Sequence, residues 1–471
     1  MKSNFLKHSL FTLLLLLINH VYVNGQANTL SIDNIIEIVR SYHPIVKQSF
    51  IKNEIAKNEL TSAKGIFDPS IQFNNQEKSF DNKFYYQYNN TELKIPTWYG
   101  IDLKAGIEYN TGDKMDPSFT KNKSSFVGVG IDPFAGILVD KRKSIVKQAQ
   151  QMTELTKNEQ ILVINDLMLD AINAYWNWSN AYYNYEIINK SVKNNVARYE
   201  IIKKSYVSGD RAPIDTTEAL TQLKTFEMMA SQAFLELQKT KFELSNYCWS
   251  EKGSPYELSE NIKPTNNFKL TEINAIELSN LENSILEAYR THPKIKMMDS
   301  KLNILDIEKR MKIVELFPSL KLNYNALDND YNFSNLVSIP NYANNYKYGI
   351  SITMPLFQRQ ARGALSKTKN KIQDVQWDRK YVNFEIENKI KGTYAEFYAL
   401  KTQINANEDI LMANKLLFET ENTKFQMGES SLFIINSREL KLIETEQKNI
   451  ALKTKFYMSM AKNRWAMGTL N

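Results

Sequence analysis

The spacing of apolar residues along the chain changes between a helical and an alternating period. From residue 30 to residue 66 apolar side chains recur three and four positions apart, as on one face of a helix. After Pro69 they alternate with polar residues, first at Ile71 and Phe73 and then at residues 101–109 and 127–131. Alternation of this kind is typical of a strand with one apolar and one polar face. We therefore predict a helix followed by β-strands within about residues 69–132.

A long heptad pattern begins at residue 141. Apolar and aromatic side chains from Ile164 to Tyr206 recur at four- and three-residue spacings, which form the seam of a coiled coil. At ~1.5 Å per residue, a continuous helix over residues 141–206 would be on the order of 100 Å long. Gly209 and Pro213 suit the end of this helix and the start of a returning one. The pattern predicts a long antiparallel hairpin with its end near residues 207–213.

The same order of elements occurs twice. His43-Pro44 and Pro69-Ser70 recur 249 positions later (292 − 43) as His292-Pro293 and Pro318-Ser319. Strands are expected again within about residues 319–354, followed by a second hairpin with its end near residues 426–431. We divide the chain into residues 1–25, a first repeat at 26–249, a linker at 250–283 and a second repeat at 284–471.

Residues 1–25 have the order of a secretory signal peptide. Lys2 and Lys7 precede an apolar run from Leu10 to Ile18, and a cleavage site before Gln26 would follow. A retained N-terminal anchor is the alternative, although the run is short for a membrane-spanning helix. No later segment approaches ~18 consecutive apolar residues, so a chain that enters a membrane would do so as a closed β-barrel.

The apolar faces of the strands could contact lipid or a soluble core. Helices as long as those predicted leave a compact β-sandwich little to pack against, so we favour lipid, with the soluble sandwich as the alternative. The side chains predicted to face lipid are Ile71, Phe73, Ile101, Leu103, Leu320, Leu322, Tyr348, Ile350 and Ile352.

The first repeat carries more residues between its strands than the second. The offset between repeats falls to 222 at the closing prolines (355 − 133), which leaves 27 additional residues in the first repeat (249 − 222). Because the flanking helices must lie on one side of a membrane, each repeat needs an even number of crossings. We expect two strands per repeat, with the additional residues in an outer loop. The alternative is a fourth strand supplied by the aromatic segment near Tyr86.

Composition and reactive residues argue against catalysis. The chain is 43% apolar and 24% charged, and its formal charge of +7 is too weak for its size to indicate nucleic-acid binding. Cys248 is the only cysteine, and only His43 and His292 lie outside the predicted signal peptide. We interpret these histidines as caps or packing residues. No catalytic residue, metal site or cofactor is expected, and the chain is not expected to be an enzyme.

The repeated motifs together resemble those of the outer-membrane efflux protein (TolC-like) family. They are the His-Pro pairs, Phe317-Pro318-Ser319 before a strand, Pro355-Leu356-Phe357 after one, and the glycine at each hairpin end. The resemblance implies a mainly α fold with a β-barrel portion, in which three chains with four strands each form a twelve-stranded barrel that continues into a helical periplasmic tunnel. It also implies a passive conduit in the Gram-negative outer membrane, joined to a periplasmic adaptor and an inner-membrane RND or ABC transporter, for efflux or type I secretion.

The resemblance also assigns roles at the hairpin ends. Tyr206, Gly209, Phe425 and Gly428 match the aromatic-x-x-Gly ends that contact an adaptor. Asp215 matches the family's acidic position at the start of the returning helix and is a candidate for a constriction or gate, or it is a carboxylate favoured by the helix dipole. The second repeat has Ile434 at that position, so Glu429 or Glu439 would have to contribute to a gate. A periplasmic adaptor and a structural coiled-coil protein are the alternatives from other classes.

Overall fold

The computed structural model describes residues 29–134, 139–265, 270–331 and 345–470. The predicted signal peptide, residues 1–25, lies outside these ranges. Among the helices within them, none combines the length and apolar character needed to cross a membrane.

The first repeat contains a two-residue strand, a helical segment, four long strands and a helical hairpin. Its elements in chain order are β1 (Thr29–Leu30), α1 (Ile32–Tyr42), α2 (Pro44–Lys64), a 3-10 turn (Gly65–Phe67), β2 (Ser70–Phe80), β3 (Lys83–Pro96), β4 (Ile101–Thr111), β5 (Asn122–Ile131), α3 (Lys141–Val207) and α4 (Pro213–Ser245). Helix α3 is continuous for 67 residues, as the heptad pattern predicts.

The second repeat has the same helices but two strands. After β6 (Lys263–Pro264) and α5 (Leu270–Ala275), its elements are α6 (Leu281–Thr291), α7 (Pro293–Val314), β7 (Ser319–Asn329), β8 (Tyr346–Thr353), α8 (Arg359–Gln426) and α9 (Leu432–Ala466). Helix α8 is 68 residues long, nearly the length of α3. The mixed class, with long helical hairpins and a curled antiparallel sheet, is confirmed.

The six long strands form one antiparallel sheet in the order β2-β3-β4-β5-β7-β8. The prediction of two strands per repeat is correct for the second repeat and wrong for the first, which contributes four strands to this sheet. The aromatic segment near Tyr86 is a strand, so the alternative interpretation holds and the even number of strands is kept. Residues 70–96 form two paired strands instead of a loop because Asp81 and Asn82 form a tight turn. Their φ angles of 55° and 53° allow a two-residue hairpin between β2 and β3.

The β2–β3 hairpin accounts for the length difference between the repeats. Its strands have 11 and 14 residues and are joined by two turn residues, which makes 27 residues in all. Without this hairpin, β4, β5, β7 and β8 would still form a continuous four-stranded sheet. The additional residues of the first repeat are therefore strands at the edge of the sheet and not an outer loop.

The chain forms two compact units, each built from both repeats. One comprises Met1–Lys47, Ile164–Ile285 and Lys389–Asn471, and the other comprises Gln48–Val163 and Leu286–Asn388 and contains the six-stranded sheet.

In the first unit, the aromatic seam of α3 forms the core. Tyr175 and Trp178 are each 1% exposed. The hydroxyl of Tyr175 donates to the carbonyl of Leu30 at 3.0 Å, beside the parallel pairing of β1 with β6. Cys248 is buried in the same cluster, and burial raises the pKa of its thiol to about 12.

Candidate functional site

The two faces of the six-stranded sheet differ in chemistry. Residues that pair across neighbouring strands share a face, and the row from Leu103 through Val129 and Tyr324 to Tyr348 is apolar. By this register, all nine side chains predicted to contact lipid lie on one face: Ile71, Phe73, Ile101, Leu103, Leu320, Leu322, Tyr348, Ile350 and Ile352. Contact with lipid itself stays a prediction.

Several side chains on this apolar face are not covered by any element in the described part of the chain. Ile71 is 77% exposed and Ile352 is 69% exposed, and they lie on the two edge strands. An exposed apolar surface that continues across a whole sheet is characteristic of a surface that contacts lipid or another chain.

The opposite face carries charged and small residues. Asp102 accepts from Arg142 at 2.5 Å, between Oδ1 and Nη1, and forms an ion pair with Lys94 at 3.0 Å. Arg142 lies in the first turn of α3, so this network ties the start of the long helix to the sheet. Gly128 on the same face permits close approach of β7, because a Cβ there would lie 2.6 Å from the carbonyl oxygen of Tyr324.

Both helical hairpins end in the same backbone conformation. Gly209 and Gly428 have φ angles of 83° and 82°, in the left-handed region that favours glycine. The amide of Gly209 donates to the carbonyl of Tyr206 at 3.0 Å, and that of Gly428 to the carbonyl of Phe425 at 3.2 Å. The two aromatic-x-x-Gly motifs found in the sequence are therefore equivalent helix caps.

Replacing Gly209 by alanine is expected to cost about 1–2 kcal/mol through backbone strain alone. A Cβ at Gly209 would meet no atom within 4 Å, so steric clash does not contribute. Gly392 lies inside α8 and is equally uncrowded, so Gly392→Ala should stabilise the chain by about 0.5–1 kcal/mol. Guanidinium unfolding of the two variants would measure these shifts, and equal effects would contradict the cap assignment.

The predicted contact residues at the hairpin ends have different surroundings. Tyr206 is 44% exposed, whereas Phe425 packs against a buried cluster that includes Ile202 and Leu432. The guanidinium of Arg211 lies 4.8 Å from the centre of the Phe425 ring. Exposed apolar side chains surround both ends: Val207, Ile214, Met427 and Phe433. The hairpins therefore pack together near their ends and still present an apolar surface.

The three acidic candidates for a constriction have different surroundings. Asp215 forms an ion pair with Arg211 at 3.8 Å, one turn away on the chain, and Glu429 is exposed beside Gly428. Glu439 is 3% exposed and lies between the two hairpins. A gate role for each stays a prediction, and the surroundings of Glu439 point first to the packing of the hairpins.

A buried ion pair joins the hairpins at Glu439. Its Oε2 accepts from Nη1 of Arg198 at 2.6 Å, and the two side chains are 4% and 13% exposed. Asn195 donates to Oε1 of Glu439 at 3.2 Å, and Arg198 also donates to Asn436 at 3.2 Å. This network was missed from the sequence because Arg198 and Glu439 are far apart along the chain and neither belongs to a recognisable motif.

The two histidines act as helix caps, as interpreted from the sequence. Nδ1 of His43 accepts from the amide of Ile45 at 3.2 Å, and Nδ1 of His292 accepts from the amide of Lys294 at 3.1 Å. His43 is also buried against Tyr247, with ring centres 6.1 Å apart. Within the described part of the chain, no group of three or more His, Cys, Asp or Glu side chains is placed to hold a metal ion.

Acidification is expected to destabilise the fold through His43. Burial lowers the pKa of this histidine, so the unfolded chain binds its proton more readily than the folded chain. The stabilising contribution of neutral His43 is therefore present above about pH 6.5 and is lost as the pH falls below it, at up to ~1.4 kcal/mol per pH unit. Between pH 7.5 and pH 5.5, the free energy of unfolding should fall less for His43→Asn than for the wild type. Equal decreases in the two proteins would contradict this prediction.

Comparison with known proteins identifies the fold. No protein-family model matches the sequence, and no curated protein matches it. The solved structures with similar folds include the outer membrane channel CmeC of Campylobacter jejuni, at 12% identity and a TM-score of 0.65 over 94% of this chain and 86% of that chain. The open state of the MtrE outer membrane channel of Neisseria gonorrhoeae gives 12% identity and a TM-score of 0.67 over 93% and 89%.

A third structure agrees with these two. The outer membrane protein VceC of Vibrio cholerae gives 14% identity and a TM-score of 0.65 over 93% of this chain and 96% of that chain. The expected resemblance to outer-membrane efflux (TolC-like) proteins is thus confirmed at the level of the fold, over nearly the whole described chain.

Proposed function

We propose that this protein is an outer-membrane channel of a Gram-negative bacterium and extends into the periplasm. In this role it is the passive conduit of a tripartite efflux or type I secretion system. The observation that carries the proposal is the six-stranded sheet with one exposed apolar face and one polar face, combined with two hairpins built on helices of 67 and 68 residues. An apolar outer band and a polar interior are the features of a barrel that spans a membrane.

Three copies of the chain would complete the channel. The resemblance to outer-membrane efflux proteins implies this assembly, and the exposed edges of the sheet call for pairing with other chains. The hairpin ends, with Tyr206, Gly209, Phe425 and Gly428, would contact a periplasmic adaptor that connects the conduit to an inner-membrane RND or ABC transporter. The apolar side chains around these ends suit docking against another coiled coil.

Two measurements test this proposal. Membrane fractionation should place the protein in the outer membrane, and detergent extracts should contain heat-sensitive trimers. A soluble periplasmic monomer would contradict the proposal and favour a structural coiled coil.

Photo-crosslinking at the hairpin ends tests the partner. A photoreactive residue at Val207 or Met427, which are 80% and 69% exposed, should capture an adaptor. The same residue at Tyr256, an exposed position in the linker, is the matched control and should not. The transporter that co-purifies would then separate small-molecule efflux, with a proton-driven pump, from protein secretion, with an ABC-type pump. Equal capture at all three positions would contradict docking at the ends.

A further inference from the structure

The six-stranded sheet has two long edges that nothing in the described chain covers. Strand β2 has 11 residues and strand β8 has 8, and every one of them is exposed. Neither strand contains a proline, and β8 carries a single charge, at Lys347. Soluble proteins blunt such edges with prolines, charges, bulges or short strands, because unpaired strand edges recruit other chains. These two edges therefore have the character of pairing surfaces.

Strand direction defines which edge can pair with which. The chain enters β2 from the 3-10 turn after α2 and leaves β8 towards α8, so β2 runs away from the end of the sheet that is connected to helices and β8 returns to it. An edge-to-edge contact between copies related by rotation then places β8 of one copy antiparallel to β2 of the next. The alternation of strand directions continues unbroken across the contact.

We infer that β2 of each copy pairs with β8 of a second copy, with Ile71 opposite Ile352 and Phe73 opposite Ile350. All four side chains lie on the apolar face, and each is at least 64% exposed in the single chain. A shift of this register by one residue would place apolar side chains opposite the polar face. The number of copies rests on the proposed function: three copies give a sheet of 18 strands instead of 12.

The stagger of the strands supports this register independently. A single row of paired residues crosses the sheet from the first residue of β2 to the second residue of β8: Ser70, Lys94, Lys104, Gly128, Asn325 and Lys347. Thr353, the last residue of β8, lies six positions beyond Lys347. In the inferred register, Ser70 of the next copy lies beside Thr353. The row of paired residues is then displaced along the strands by six residues for every six strands that it crosses, and this displacement is the stagger.

A stagger of one residue per strand occurs in known closed barrels. Eight strands with a stagger of eight residues give a strand tilt of ~36°, and transmembrane barrels have tilts of ~35–45°. Pairing Ile71 with Ile350 instead would reduce the stagger to four residues for six strands and would flatten the tilt below that range. The inferred register is therefore consistent with closure into a barrel.

Closure of one chain on itself is disfavoured by the polar face. Lys94, Asp102 and Lys104 lie on that face. The interior of a barrel with about eight strands is just filled by side chains, so a six-stranded barrel would have to bury these charges without water. The partner of each edge is therefore a second copy.

The β2–β3 hairpin acquires a specific role from this arrangement. It supplies the edge that β8 of the neighbouring copy pairs with, and without it that edge would be β4. Because barrel diameter grows roughly linearly with strand number, 18 strands instead of 12 would make the opening about half as wide again. The hairpin therefore sets both the contact between copies and the width of the pore.

Cysteine crosslinking tests the inferred pairing in the intact protein. The variant Ile71→Cys/Ile352→Cys, treated in outer membranes with a short bis-methanethiosulfonate, should give covalent species of two and three chain masses on a non-reducing gel. Each single variant should give at least tenfold less, because Cys248 is buried. The pair Leu320→Cys/Ile352→Cys, neighbours within one chain, is the positive control for reagent access and should link without a change in chain number.

Two alternative crosslinks would overturn the inference. One is a species of single-chain mass for Ile71→Cys/Ile352→Cys, demonstrated by protease mapping of the crosslink, which would mean closure within one chain. The other is efficient linkage of Ile71→Cys with Tyr346→Cys, which lies ~20 Å from the inferred site along β8. An amine crosslinker applied in parallel reports the trimer itself, so trimers that lack the Ile71–Ile352 link would overturn the pairing and leave the proposed conduit standing.

Discussion

Replacing Glu439 by alanine is expected to lower the free energy of unfolding by about 3–5 kcal/mol. The substitution leaves Arg198 charged and largely buried between the two hairpins, without the carboxylate that it contacts at 2.6 Å. The amide of Asn195 loses an acceptor at the same time. Guanidinium unfolding of the detergent-solubilised protein, followed by circular dichroism, would measure the shift in midpoint.

Two controls separate the buried charge from other effects. In Arg198→Met/Glu439→Leu both charges are removed, and stability should return to within about 1 kcal/mol of the wild type or exceed it. Glu429→Ala removes an exposed carboxylate at the end of the second hairpin and should change stability by less than about 0.5 kcal/mol. If the double variant is as unstable as Glu439→Ala, the loss comes from packing and not from the unpaired arginine.

Replacing Leu322 by arginine is expected to reduce the stability of the membrane-inserted protein by about 2–4 kcal/mol. Leu322 pairs with Ile131 on one side and with Ile350 on the other, within the apolar face of the sheet. If the apolar face contacts lipid, as proposed, a guanidinium at this position would lie in hydrocarbon, where its hydration is lost. Urea unfolding from lipid vesicles, or the yield of heat-sensitive trimer in outer membranes, would report the loss.

The adjacent residue provides a matched control for this prediction. Asn323 lies on the same strand but on the opposite, polar face, beside Lys104. Asn323→Arg adds the same side chain one residue away, where a water-filled interior would solvate it, and should have little effect. Equal losses for the two variants would show that the apolar face does not contact lipid.

The long helices and their ends were predictable because their signals are local and repeated. Heptad spacing extends along α3, and a glycine follows each long helix at the position where a left-handed residue is required. The apolar face of the sheet was predictable for the same reason, since strict alternation determines which side chains share a face.

The β2–β3 hairpin was not predictable from periodicity. Residues 74–92 are polar on both faces for most of their length, so alternation is lost although the backbone is extended. The available signal was the Asp81-Asn82 pair, two residues that tolerate positive φ angles, between segments that can pair. Read together with the requirement for an even number of strands, this pair would have favoured a hairpin over a loop.

The buried ion pair between the hairpins could not be derived from one sequence. Arg198 and Glu439 are 241 positions apart, and each is one of many charged residues on long helices. Which of these charges meet depends on the rotation of each helix about its axis, and that rotation is determined by the packing of both hairpins together.

The short parallel pairing of β1 with β6 has a consequence for the order of folding. Thr29 pairs with Lys263 across 234 positions (263 − 29), so this pairing forms only after the whole first repeat has been synthesised. Contacts between such distant segments carry a large loop-closure entropy and form slowly. The core around Tyr175, to which Leu30 and Leu258 both belong, is therefore completed late in folding.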